Sequence, residues 1–427
     1  MNDYKPRVID VLLKRKLAGK GAVLIKGPKW CGKTTTAEQI AKSVLYMADT
    51  GSRDQNIKLA NIDPHLILKG ANPRLIDEWQ VAPVLWDAIR FEIDHRKKHG
   101  QFILTGSVVM HDKQDRKQIQ HSGTGRIARL IMRPMSLWES GDSNGQVSLK
   151  ELFDSPEHIS GTCDLILLDI AYVTCRGGWP DTISMDHDIA LDQAFDYVDA
   201  VAETDISEVD HVNRNPEQTR RLLRSYARNQ GTQTPLTTLR DDMKANESTT
   251  FSEDTVSSYV KALNRIYVIE DMQAWNPNLR SKTAIRTSDN RYFIDPSIAT
   301  AALGLGPTDL INDLNTFGLI FETLCVRDLR VFANAIDGNV YHYRDKDKLE
   351  CDAVVHLRNG SYGLIEIKLG GDSLIEEGVK NLLTLAKKID TTKMNNPSFM
   401  MILTAVGKYA FRRKDGIYIV PIGCLKD

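Results

Sequence analysis

The sequence predicts an α/β protein of several domains. Residues 1–145 alternate short apolar runs with helical patterns, and residues 301–427 repeat that alternation after a helix-rich middle. The length of 427 residues exceeds one ordinary core and leaves room for two to four domains.

In the first region, residues 22–26 (Ala-Val-Leu-Ile-Lys) read as a buried strand and 34–45 as a helix. Residues 58–62 and 73–76 read as further strands, 81–99 as a long helix, 102–104 as a strand and 127–132 as the last strand. Residues 146–205 are rich in acids and read as a mostly helical lid or linker. Residues 206–300 contain three helix-like stretches, at 216–229, 235–243 and 252–266, then a strand-rich piece over 267–293. That order resembles a winged helix-turn-helix. The last region, 301–427, opens with a helix over 317–333. Strands near 340–343, 351–357 and 362–367 follow, then a helix near 375–389 and strands near 399–403 and 416–420.

Composition narrows the function. Lys plus Arg is 55 against 56 for Asp plus Glu, a net charge of −1, so nucleic-acid binding would need local patches. No run has the roughly 18 continuous apolar residues of a membrane helix, and the N-terminus has no signal-peptide core. A cytoplasmic protein with no membrane partner is expected. Cys31, Cys163, Cys175, Cys325, Cys351 and Cys424 show neither C-x-x-C pairing nor zinc-ligand spacing, and read as reduced thiols.

The strongest motif is Gly27, Pro28, Lys29, Trp30, Cys31, Gly32, Lys33, Thr34, which fits G-x-x-x-x-G-K-[ST] between a strand and a helix. With Thr35 it is the expected nucleotide-binding loop, for ATP with Mg²⁺. The glycines let backbone N–H groups turn toward phosphate oxygens. Lys33 is expected on the β- and γ-phosphates, and the Thr34 hydroxyl on Mg²⁺. Asp77 and Glu78 end a short apolar strand. Asp77 is expected to hold Mg²⁺ and Glu78 to orient and deprotonate the attacking water. Thr105 and Ser107 end the next strand, near the expected γ-phosphate. Arg126 is a candidate γ-phosphate contact, in cis or across the boundary of a homo-oligomer. Arg129 reads more simply as an exposed or paired arginine.

These residues carry a resemblance. Pro73-Arg-Leu-Ile-Asp-Glu-Trp-Gln80, Ile89-Arg90, Asp94, Phe102-Ile-Leu-Thr-Gly-Ser107, Gly125-Arg126 and Pro134-Met-Ser-Leu-Trp-Glu139 resemble a prokaryotic family of AAA-type ATPases. Gly177-Gly-Trp-Pro180, Asp205-Ile206, Tyr292-Phe-Ile-Asp295 and Gly318-Leu-Ile-Phe-Glu322 extend the resemblance over nearly the whole chain. It implies three parts, an ATPase, a winged helix and a restriction-endonuclease-like terminal fold; on this chain they fall on a P-loop core over 1–145, a winged helix-turn-helix over 206–300 and an α/β domain over 301–427, with the lid or linker over 146–205 between the first two. Thr105 departs from the asparagine common in the wider class.

The C-terminal region adds Asp352, Glu366 and Lys368. Glu366 and Lys368 are two apart, so a strand puts both on one face. Asp352 is expected on a partner strand, across a hairpin turn at 358–361. The set resembles the core of restriction-type nucleases, in which the acids hold a divalent ion and the lysine stabilises charge. Glu322, on the preceding helix, matches the extra acid of such folds. Surface acids with a pairing lysine, or a nuclease-like fold without activity, are the alternatives. In the middle region, the recognition helix would start at Ser252 beside Glu253 and Asp254, which is unfavourable against DNA. Arg280, Lys282, Arg286 and Arg291 in the wing would supply phosphate contacts instead, and Arg220, Arg221 and Arg224 add positive charge on the first helix; a protein-protein or interdomain module is the alternative. Two readings follow: an ATP-driven switch acting on DNA, or a regulatory P-loop protein whose C-terminal fold binds partners.

Overall fold

Five short apolar segments pair into one parallel sheet. They are β1 (Ala22–Lys26), β2 (Ser43–Tyr46), β3 (Arg74–Asp77), β4 (Phe102–Gly106) and β5 (Ile127–Ile131), in the order β2-β3-β4-β1-β5. In this computed structural model, which describes residues 4–107, 121–244, 252–277 and 287–427, the chain divides into two compact units. The first comprises Met1–Arg133, Ser207–Val212 and Ala262–Tyr267 and contains this sheet.

β1 lies between β4 and β5, with Ala22 opposite both Phe102 and Ile127. A strand flanked on both sides and covered by helices is buried on both faces, which its unbroken apolar run requires. Leu24, Ile76, Leu85, Trp86, Ile89, Phe102 and Leu104 form the core beside it. Every strand is parallel, so the carboxyl ends of β1, β3 and β4 share one edge, where α/β sheets place ligands.

Three local readings need correction. The helix expected over 34–45 stops at Glu38, and its second half becomes β2. Pairing of Val44 with Leu75 and the bond from Lys42 N–H to the Pro73 carbonyl (2.8 Å) outweigh helical propensity there. Residues 58–62 are the end of a helix, Arg53–Ile62, not a strand. Lys-Leu-Ala-Asn-Ile lacks period-two alternation, and only Ala60 of that helix is buried. The long helix is shorter than 81–99, running Val84–Arg96 after a tight turn at Trp79–Val81.

The second unit comprises Pro134–Ile206, Asn213–Lys261 and Val268–Asp427. Its middle contains helices Pro216–Arg228 and Leu236–Lys244 and the part of helix Glu253–Arg265 up to Lys261, close to the three expected. Antiparallel bridges then join Ile269 to Phe293 and Met272 to Asn290.

A seven-stranded sheet fills the C-terminal part. In chain order its strands are β7 (Gly161–Thr162), β8 (Gly338–Arg344), β9 (Glu350–Leu357), β10 (Tyr362–Lys368), β11 (Phe399–Thr404), β12 (Tyr409–Arg412) and β13 (Tyr418–Pro421). The spatial order is β7-β12-β13-β11-β10-β9-β8. β8, β9 and β10 are antiparallel neighbours, and the β9–β10 turn contains Gly360 at φ 89°, the left-handed region glycine tolerates. Helix Asp372–Lys388 then crosses over, so that β11 runs parallel to β10. Two strands within 146–205 were not expected. β7 joins β12, and β6 (Val147–Ser148) pairs with Leu425–Lys426.

A buried ion-pair cluster organises this unit. Arg327, on helix Leu314–Ala335, pairs with Asp295 (3.0 Å) and Asp328 (2.8 Å), all three about 1% exposed or less. Asp295 also accepts from the Gly178 N–H at 3.0 Å, and Asp328 from the Leu137 N–H at 2.9 Å. A Cβ at Gly178 would lie 2.1 Å from the Met135 carbonyl, so only glycine fits. The Gly-Gly-Trp-Pro motif is thus a close backbone approach, with Trp179 Nε1 bonded to the Ser297 hydroxyl.

Candidate active site

The loop between β1 and helix Lys33–Glu38 takes its shape from three constraints. A Cβ at Gly27 would lie 2.0 Å from the Met132 carbonyl, so that position accepts no side chain. Trp30 and Gly32 have positive φ, 69° and 93°. Cys31 is fully buried, with its thiol directed at the Met132 carbonyl. Lys33 Nζ donates to the Pro28 carbonyl at 2.6 Å, while Lys29 and Thr35 are exposed. Arg7, which sequence reading did not single out, braces the loop: its guanidinium donates to the carbonyls of Cys31 (3.0 Å) and Arg133 (2.8 Å). An arginine ahead of the first helix carries no motif, so only the fold reveals it.

Beside the loop, Asp77 closes β3. Its Oδ1 accepts from both the Thr34 hydroxyl and the Thr105 hydroxyl, each at 2.6 Å. The Thr105 oxygen in turn accepts from the Glu78 N–H at 3.2 Å. Glu78 stands at φ 54°, ψ 47°, a left-handed conformation a non-glycine residue adopts only when its surroundings impose it. Its carboxylate accepts from the Ser107 hydroxyl at 3.3 Å and from the Gln80 amide. Five sequence-derived residues, Thr34, Asp77, Glu78, Thr105 and Ser107, therefore meet in one hydrogen-bond network, with Lys33 nearby on the loop. Gln80 was missed as a partner. Its signal was its place two positions after Glu78.

Arg126 is placed elsewhere. It immediately precedes β5, and its carbonyl accepts from the Ala22 N–H at the start of β1. The P-loop leaves the other end of β1, roughly 15 Å away for a five-residue strand. Arg126 Nε pairs with Asp94 at 2.9 Å. The expectation of a γ-phosphate contact in cis is corrected by this register. Arg129 lies over the Trp86 ring, 5.5 Å from its centroid, and donates to the Ser122 carbonyl.

In the second unit, strand alternation brings Asp352, Glu366 and Lys368 together. Lys368 Nζ lies 2.8 Å from Glu366 and 3.3 Å from Asp352. Asp352 also accepts from the Ile367 N–H at 2.7 Å. Burial and the neighbouring Asp352 charge push the Glu366 carboxyl up to about 8, against the pull of Lys368. Burial opposes the charge on Lys368, but the two carboxylates hold its proton more firmly than usual. Glu322 is partly buried: the Tyr292 hydroxyl donates to it, and a Cβ at Gly231 would lie 2.8 Å from its oxygen. Burial first and Asp352 second raise its carboxyl well above the usual range. Tyr292 was missed as its partner. Among the described residues, no group of three or more His, Cys, Asp or Glu side chains is arranged to hold a metal ion.

The basic residues of the winged-helix candidate divide. Arg291 pairs with Asp271 at 2.6 Å and donates to the Thr234 carbonyl, and Arg220 pairs with Asp199, Glu203 and Glu217. Arg280, Lys282 and Arg286 lie outside the described residues.

Comparison with known proteins bears on the first site. Residues 19–140 match the family described as AAA domain. The chain thus carries an AAA-type P-loop ATPase domain. Residues 168–309 and 317–425 match two domains of unknown function, DUF8612 and DUF4143. Uncharacterized proteins of Mycobacterium tuberculosis and Mycobacterium bovis are each 23% identical over 376 residues, covering 87% of this chain and 75% of theirs. Among solved structures, the Aeropyrum pernix ORC2 protein in its ADP form is 13% identical, covering 76% of this chain and 97% of that one, with a TM-score of 0.28. The Pyrococcus furiosus Hef helicase domain is 12% identical, covering 94% and 86%, with a TM-score of 0.21. Among the described residues, no helix is long and apolar enough to cross a membrane.

Proposed function

We propose that the chain binds and hydrolyses ATP with Mg²⁺ and couples nucleotide state to a C-terminal module acting on DNA. The observation that carries the ATPase reading is the network joining Thr34, Asp77, Thr105 and Glu78 at the mouth of the P-loop. Thr34 and Asp77 offer hard oxygen donors 2.6 Å apart, which suit Mg²⁺. The ion would supply charge neutralisation for the phosphates. Lys33, released from the Pro28 carbonyl, contacts phosphate oxygens, and Glu78 takes the proton of the attacking water. Phosphate release from ATP should require a divalent ion and fall sharply in Asp77→Asn. Undiminished release in that variant would contradict the assignment.

Arg126, exposed at the far edge of the sheet, fits only the trans version of its role, in which a second copy presents it to the nucleotide. ATPase activity per chain should then rise with protein concentration. A fully active monomer at high dilution removes that role.

Three helices followed by two antiparallel bridges support a winged-helix reading of the middle region. The α-β-β-β-α-β run from helix Leu314–Ala335 to β11, with Asp352, Glu366 and Lys368 on facing strands, supports a restriction-endonuclease-like reading of the C-terminal region. Metal-dependent phosphodiester cleavage belongs to that proposal, with Asp352 and Glu366 as ion ligands and Glu322 behind them. One observation favours the alternative of an inactive partner-binding scaffold. The Lys368 ammonium itself bridges the two carboxylates, so an ion enters only if the lysine withdraws.

A further inference from the structure

Gln80 sits in the tight turn Trp79–Val81 that follows β3, two residues beyond Glu78. Its amide Nε2 donates to Glu78 Oε2, while the Ser107 hydroxyl reaches Glu78 Oε1 at 3.3 Å. One carboxylate oxygen is thus held from the turn after β3 and the other from the end of β4. The rest of the amide packs over Gly106, the last residue of β4. A Cβ there would lie 2.7 Å from Gln80 Oε1 and 3.2 Å from Trp79 Nε1, so glycine leaves the amide its place. Gly106 pairs with Lys26, the residue before the P-loop, which puts this contact at the nucleotide edge of the sheet.

Two features of the arrangement oppose stability. Among the described residues, Gln80 Oε1 is buried without a hydrogen-bond partner, which carries a desolvation cost. Glu78 beside it has a left-handed backbone, φ 54°. An apolar side chain of similar length would fill the space over Gly106 without the first cost. What the amide adds over such a side chain is its N–H on the Glu78 carboxylate.

We propose that Gln80 is a positioning residue for ATP hydrolysis, holding the Glu78 carboxylate in the orientation from which it meets the attacking water. The proposal rests on the ATPase reading above, in which Glu78 takes the proton of that water. The last torsion of a glutamate side chain is broad and roughly two-fold, so the rotamer alone does not fix which lone pair faces the water. A general base works only within hydrogen-bond reach of the proton it takes. With Oε2 tied to Gln80 and Oε1 to Ser107, the plane of the carboxylate is set, and each oxygen keeps acceptor capacity for the water. Gln80 acts through Glu78 and transfers no proton itself.

Steady-state ATP hydrolysis by the full chain with Mg²⁺, with Glu78→Gln as the reference for loss of the base, tests the proposal. Gln80→Met keeps the length of the side chain and removes the donor. Its kcat should fall about 10- to 100-fold, with KM for ATP and the affinity for a fluorescent ATP analogue within about twofold of wild type. Its thermal midpoint should equal or exceed that of wild type, which a merely structural role would not give. Gly106→Ala pushes the amide aside without altering it and should lower kcat in the same way. In a Gln80→Ala background the Gly106→Ala change should cost nothing further, where independent effects would multiply. A Gln80→Met protein with the kcat of wild type, alongside an impaired Glu78→Gln, would overturn the role of Gln80 and leave the ATPase reading standing. So would a loss of ATP affinity in proportion to kcat, or a multiplicative double variant. Wild type and Glu78→Gln turning over ATP equally, or not at all, would remove the reading and the proposal together.

Discussion

The Thr34 hydroxyl lies 2.6 Å from Asp77 Oδ1, across 43 positions of sequence, at the carboxyl edge of the parallel sheet. One residue belongs to the phosphate loop and the other ends a neighbouring strand. Their meeting converts two motifs into one site, because both oxygens could hold the same divalent ion, which would neutralise phosphate charge. Thr105 shares the same oxygen, which ties β4 to the site as well.

Lys33→Ala removes the charged phosphate contact while leaving the loop backbone in place, since the lysine's present partner is a carbonyl. A charge-assisted hydrogen bond contributes about 1.5–3 kcal/mol. ATP affinity should therefore fall about 10- to 100-fold, as read by titration calorimetry with Mg²⁺. Unchanged affinity would place the phosphates elsewhere.

Local motifs were legible in the sequence wherever the chemistry is local. The P-loop needs only a strand, two glycines and a helix start, and Asp77-Glu78 needs only a strand end. The fate of residues 39–45 was not legible, because β2 exists by pairing with β3, and a partner cannot be read from one segment. Arg126 illustrates the same limit: its arginine chemistry suited the γ-phosphate, but the parallel register of β5 with β1 sends it to the opposite edge. In the C-terminal sheet, period-two alternation was enough to bring Glu366 and Lys368 together. The contacts of Glu322 with Tyr292 and Gly231 depend on long-range packing and left no local pattern. The short, largely exposed strand Tyr409–Arg412 offered no apolar run to detect.

His342 predicts a pH dependence of stability. It is 1% exposed, its Nε2 lies 3.1 Å from the Ser288 carbonyl, and burial lowers its pKa from 6.5 to about 4. The folded state keeps the ring neutral where the unfolded chain protonates it. The contribution is intact above pH 6.5 and is lost as pH falls from 6.5 toward 4, by roughly 3 kcal/mol at most. Denaturant unfolding at pH 7.5 and 5 should show that loss, and His342→Gln should flatten it. An identical slope in the variant would assign the dependence to other groups.

The nuclease-like proposal separates genetically from ATP turnover. If cleavage occurs, Asp352→Ala or Lys368→Ala should abolish Mg²⁺- or Mn²⁺-dependent phosphodiester cleavage and leave ATP hydrolysis within about twofold, because these residues lie in another unit. Single- and double-stranded DNA, with and without ATP, are the substrates to compare. No cleavage by the wild type under any of these conditions would leave the partner-binding scaffold as the better reading.

The most direct test of the central claim compares ATP binding and ATP hydrolysis in wild type and Glu78→Gln. The amide keeps the size of the carboxylate and can still meet Ser107 and Gln80, but it cannot take the proton of the attacking water. A fluorescent ATP analogue with Mg²⁺ should bind both proteins with affinities within about threefold. Phosphate release should fall by about 100-fold or more in the variant, in keeping with the loss of a general base. Equal hydrolysis rates in the two proteins would contradict the role given to Glu78 and the mechanism built on it.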